Sequence, residues 1–218
     1  MSDISGSRGQ LTFRGQPVKS LLSFEVPNPL VPGAHVRSIL RTILFFFCIV
    51  CYAPAGWCRE PDPGLKAVGV RGGFNATSRN DEFHQYEAFA TFGLPWSLRG
   101  DSGWGVALQA NASAGTLHAA GEYGFIGTLG PGVIVDRWGK GLGLQLGGDL
   151  CFLSQYKFRN VNFNGNPLFL GHIGLVYRFA GGPGILYRFQ HMSNGGLGRH
   201  GAINTGLDLH MFGVSWNF

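Results

Sequence analysis

The sequence predicts an all-β fold, an eight-stranded antiparallel outer-membrane barrel with short periplasmic turns and longer extracellular loops. Three observations carry that expectation. The 218 residues include 36 glycines and 13% aromatic residues but only 13% charged residues, about half the charge of an ordinary soluble domain. No uninterrupted apolar run approaches the ~20 residues that a spanning helix needs. From Lys66 onward the chain instead falls into segments of roughly ten residues in which apolar and polar side chains alternate with period two.

The segment ahead of the strands is of a different kind. Its longest apolar run, "ILFFFCIVCYA" from Ile43 to Ala53, follows Arg37 and Arg41 and gives way to small residues at Ala53 and Ala55. Basic residues, a short apolar core and a small-residue site make a secretory signal over 36–55, with cleavage expected after Ala55. Residues 1–35 have no hydrophobic periodicity and read as a non-structural leader, with the true start expected near Val36. The barrel is then 56–218. It keeps 12 of the 17 Lys and Arg and 10 of the 12 Asp and Glu, so the net charge falls from +5 to +2. The basic surplus belongs to the leader and signal, and no nucleic-acid partner is expected. Cys58 and Cys151 remain after cleavage and read as two unpaired thiols.

The strands are expected at 67–76, 83–92, 103–113, 119–128, 143–153, 168–179, 184–193 and 207–218, with Gly, Pro and Asn in the gaps. In the third, Trp104, Val106, Leu108 and Ala110 share a face opposite Gln109, Asn111 and Ser113. In the fifth, Leu144, Leu146, Leu150 and Phe152 oppose Gln145, Asp149 and Cys151. In the sixth, Phe169, Ile173, Leu175, Tyr177 and Phe179 oppose His172 and Arg178. The tightest connection is "AGGP" at 180–183, a short turn; the long gaps 154–167 and 194–206 are the expected external loops.

The polarity of the two faces separates membrane barrels from soluble ones. A soluble lipocalin-like barrel puts its apolar face inside and its charges outside. Here the polar face carries Arg71, Glu87, Glu122, Asp149, Arg178 and Arg188, three of each sign. Eight strands enclose too little space for a channel, so these charges are expected to form a packed, neutralised interior, and a porin is excluded. The terminal Phe218 matches the aromatic end common among outer-membrane barrels.

The last two strands break the rule. Counting outward positions along 184–193 gives Ile185, Tyr187 and Phe189, then His191 and Ser193. Counting back from Phe218 through Trp216, Val214 and Phe212 gives His210 and Asp208. Polar side chains aimed at hydrocarbon cost free energy. Same-face residues at i and i+2 lie about 6.5–7 Å apart at Cα, and cross-strand neighbours are closer. A hydroxyl, an imidazole and a carboxylate so placed are the nucleophile, base and orienting acid of an acyl-transfer site. Polar residues at a strand end marking the water interface are the alternative.

The strings "HMSNGGL" at 191–197 and "NTGLD" at 204–208 resemble the lipid A 3-O-deacylase (PagL-type) family. The resemblance is specific over the last 30 or so residues, and the signal, size and strand count agree with it. It implies an ester hydrolase of the Gram-negative outer membrane that removes the 3-O acyl chain of lipid A, with lipopolysaccharide of the outer leaflet as partner and neither cofactor nor metal. By motif it makes Ser193 the nucleophile, His191 the base and Asp208 the orienting acid, with Asn194 and Gly196 at the oxyanion. The best-known member has glutamate at the position of Asp208. Phe189 and Phe212 would line an acyl groove, and the loop cations Lys157, Arg159 and Arg199 could meet lipid A phosphates. A non-catalytic structural or adhesive barrel, or a phospholipase on the same scaffold, are the alternatives.

Overall fold

A computed structural model describes residues 63–77, 81–195 and 206–218. Its strands in chain order are β1 (Gly64–Asn75), β2 (Phe83–Arg99), β3 (Trp104–Ala119), β4 (Glu122–Arg137), β5 (Lys140–Leu153), β6 (Lys157–Phe158), β7 (Val161–Asn162), β8 (Leu168–Arg178), β9 (Pro183–Ser193) and β10 (Leu207–Asn217). β6 and β7 form a small separate hairpin, and the other eight close into a barrel in which β10 pairs antiparallel with β1. The expected leader and signal over 1–55, together with Cys58, Gly196, Arg199 and His200, lie outside the described residues.

Five strands are clearly longer than the alternation suggested, most of all β2, β3 and β4 at 17, 16 and 16 residues. The small residues Ala114 and Gly115 read as a break, yet β3 runs through them to Ala119. Glycine is needed there for packing: a Cβ on Gly115 would fall 2.6 Å from the Cα of Glu87 on β2. The real turn is Ala120–Gly121, both with positive φ (51° and 83°), as two-residue hairpins require. β4 likewise continues across Gly130-Pro131-Gly132, where its ladder to β5 lapses between Leu129↔Leu150 and Gly132↔Gly147.

The middle of the barrel is polar and paired. Arg71 and Glu87 form a buried ion pair, and Glu87 also accepts hydrogen bonds from Gln85 and Ser113, each 2.8 Å. Asp136 accepts from both Arg99 and Arg178 at 2.8 Å. His172 Nδ1 lies 3.4 Å from Asp149, and Arg188 lies 4.0 Å from the same carboxylate. This is the expected interior network, with Arg99 and Asp136 added. Glu122 is outside it, half-buried at the rim, where it accepts from Gln155 at 2.8 Å.

The loop end of the interior is apolar, which the alternation did not anticipate. Phe83, Leu117, Ile126, Leu168, Met192 and Leu209 meet Phe158 and Phe163 in one buried cluster. The β6–β7 hairpin supplies the two phenylalanines, which pack edge-on against Phe83 at 5.6 and 6.0 Å between ring centroids. A lid of rings excludes water from the inward positions beneath it, so apolar residues are favoured there. Cys151 is buried as a free thiol, 3.4 Å from the Met192 sulfur.

The outer wall is the reverse of a soluble surface. Val70, Val106, Leu129, Leu144, Leu146, Ile173, Leu175, Ile185 and Val214 are all exposed. Exposed rings gather at both ends: Trp96, Trp104, Trp138 and Trp216 at the turn end, Tyr123, Phe125, Tyr156 and Phe169 at the loop end. An apolar band between two aromatic girdles is how a barrel matches a bilayer.

Candidate active site

The loop ends of β9 and β10 bring the three expected residues onto that outer wall. His191 stands directly opposite Asp208 in the β9–β10 ladder. Its Nδ1 is 2.6 Å from Asp208 Oδ1, with the two side chains 52% and 25% exposed. The pair therefore faces outward, at the level of the loop-end rings, as the strand phase required. Ser193 closes β9 on the same face, opposite Phe169 of β8. A carboxylate on Nδ1 fixes the tautomer in which Nε2, at the far edge of the ring, is the proton acceptor.

The remaining expected residues divide by position. The side chain of Asn194 is turned into the barrel mouth, 4% exposed and with its Nδ2 3.4 Å from the Phe163 carbonyl. Any oxyanion role of Asn194 thus falls to its main-chain N–H. Gly195 follows with φ 61°, the left-handed conformation that glycine adopts without cost. Phe189 and Phe212 are on the outer face as expected, but in a ring cluster: Phe212 lies 6.2 Å from Phe74 and 5.2 Å from Tyr187, and Phe189 lies 5.8 Å from His210. His210 is tied to the Tyr187 hydroxyl at 2.9 Å.

Two features escaped the sequence reading. A Cβ on Gly206 would fall 2.6 Å from Cε1 and 3.2 Å from Nε2 of His191. The imidazole thus occupies space that any other residue at 206 would claim. Further along the wall, Leu142, Leu175, Tyr177, Ile185, Tyr187 and Phe212 line an apolar recess of about 390 Å³. The glycine of the "NTGLD" string marks position 206 without disclosing its contact with the imidazole, and no motif signals the recess, because both depend on which positions the barrel makes neighbours.

A family model described as Lipid A 3-O-deacylase (PagL) matches residues 84–217. The solved crystal structure of the outer membrane enzyme PagL superposes with a TM-score of 0.56 at 18% identity, covering 69% of this chain and 99% of that one. No curated protein matches.

Proposed function

This chain belongs to the lipid A 3-O-deacylase (PagL) family of outer-membrane ester hydrolases, and from that membership and the His191–Asp208 pair we propose that it removes the 3-O acyl chain of lipid A through a Ser193–His191–Asp208 triad. The observation that carries the reading is the 2.6 Å contact between His191 and Asp208 on a mostly apolar wall. A charged acceptor and an imidazole are costly beside lipid, and a lone interface residue needs no such partner.

The mechanism follows from the chemistry of the three groups. His191 Nε2 takes the proton of the Ser193 hydroxyl as its oxygen attacks the ester carbonyl, and Asp208 stabilises the imidazolium that forms. Main-chain N–H groups at Asn194 and beyond hold the oxyanion, each such donor being worth about 2.7–4 kcal/mol in the transition state. The imidazolium returns its proton to the departing 3-oxygen of the sugar. Water, deprotonated by His191, then cleaves the acyl-enzyme, releasing the fatty acid and restoring Ser193. With β1 beginning and β10 ending on the periplasmic side, the loop ends of β9 and β10 reach the outer leaflet, where lipid A resides. Residues 36–55 direct export, so the mature chain begins near Gly56, which N-terminal sequencing checks.

Mass spectrometry of lipid A from expressing cells tests the function. The intact protein is expected to strip one 3-hydroxyacyl group, and Ser193→Ala to leave lipid A whole. Equal deacylation by the alanine variant would remove Ser193 from the mechanism.

A further inference from the structure

Glycine in a strand normally has a reason that can be read from its surroundings: a positive φ, or a neighbour that leaves no room for a Cβ. Among the described glycines, eight have open space where a Cβ would point. Six of those have positive φ. The other two are Gly148 on β5 and Gly171 on β8, whose backbone any residue could adopt. Both face outward and are exposed. Strand propensity favours a branched or aromatic side chain at such positions, and lipid contact favours an apolar one. Neither conformation nor packing explains their lack of one.

Their placement does. Gly148 pairs with Gly171, Gly171 with His191, and His191 with Asp208. The outward neighbours along the same strands, Leu146 and Leu150 on β5, Phe169 and Ile173 on β8, are all large and exposed. The result is a trough of bare backbone two strand spacings long, about 10 Å, walled by apolar side chains and ending at the imidazole. Phe169 is held in its wall by the following loop, since a Cβ on Gly195 would lie 3.1 Å from its ring. The other way out of the site, down β9 and β10, is filled by the contacting rings of Phe189, His210, Tyr187 and Phe212.

We propose that Gly148 and Gly171 are specificity-determining residues of the deacylase: the trough over them seats the acyl chain of the scissile ester, which therefore crosses β8 and β5 and does not run down β9 and β10. This rests on the triad reading above. The occupant is an acyl chain because the trough is apolar along its walls and opens at the proton acceptor.

The test compares Gly171→Val and Gly148→Val with the parent protein in detergent micelles, using p-nitrophenyl esters from acetate to palmitate. Folding is monitored by the mobility difference between unheated and boiled samples, and open space at both sites favours intact barrels. The ratio of kcat/KM for long-chain over acetyl ester is expected to fall about tenfold or more in each variant, a few methylenes of lost contact sufficing for that. Gly148→Val is the sharper probe, since it is two strands away from His191. Leu175→Trp, which fills the recess further down the wall, is expected to leave the ratio unchanged. An unaltered ratio in folded glycine variants, equal loss on all esters, or a ratio that falls only in Leu175→Trp would overturn the trough. Failure of the parent protein to cleave any ester would instead refute the triad.

Discussion

The pairing of His191 with Asp208 sets the expectations at the scale of the residue. Asp208→Asn keeps the shape but forfeits the charge and the tautomer it selects, and is expected to lower kcat about 10⁴-fold. His191→Ala is expected to cost at least as much, in line with non-additive loss when members of one triad are removed. Both are read by fatty-acid release from purified lipid A. Gly206→Ala introduces a Cβ 2.6 Å from the imidazole, so the ring must swing from its seat. Its kcat is expected to fall up to about a hundredfold, the scale set by a 1 Å misplacement of a reacting group. Resistance to urea should stay at the parent value, because the displaced ring is exposed.

Elements differ in how openly the sequence declares them. β8, β9 and β10 were legible almost to the residue because large side chains fill the outward positions over most of 168–179, 184–193 and 207–218 and turn residues bound each run. β3 and β4 were not, because Gly115 and the Gly130-Pro131-Gly132 run look like turns until the neighbouring strand explains them. Strand parity alone put His191, Ser193 and Asp208 on one face, which is where the β8–β9–β10 ladder has them. Asn194 was legible only in part: parity turns its side chain inward, whereas its contact with the Phe163 carbonyl depends on the β6–β7 hairpin lying across the mouth. Phe158, fully buried in that hairpin, anchors it. Phe158→Ala is expected to destabilise the barrel by about 3–5 kcal/mol, measured by urea unfolding in lipid vesicles. It should also lower kcat, as the segment after Ser193 leans on the Phe163 carbonyl through Asn194.

The whole molecule is organised by two solvents of opposite character. Inside, Glu87 is buried against Arg71, and truncating one partner leaves a charge without its counterion. Glu87→Ala is expected to cost about 3–5 kcal/mol, and removing both charges together with apolar residues of similar volume much less. Outside, Leu144 and Val214 belong to the exposed apolar wall. Arginine there is expected to cost about 2–4 kcal/mol in a bilayer and about 0–1 near the girdle, so Leu144→Arg should unfold at lower urea than Tyr123→Arg.

With the ring-sealed mouth, the proposed triad on the outer wall leaves the lumen no part in turnover. Substrate and products arrive and depart sideways, by drifting within a single sheet of lipid. Turnover should therefore follow the mole fraction of lipid A among surrounding amphiphiles, not its bulk molarity. Adding inert detergent at constant lipid A would slow the enzyme, and restoring the ratio would recover the rate.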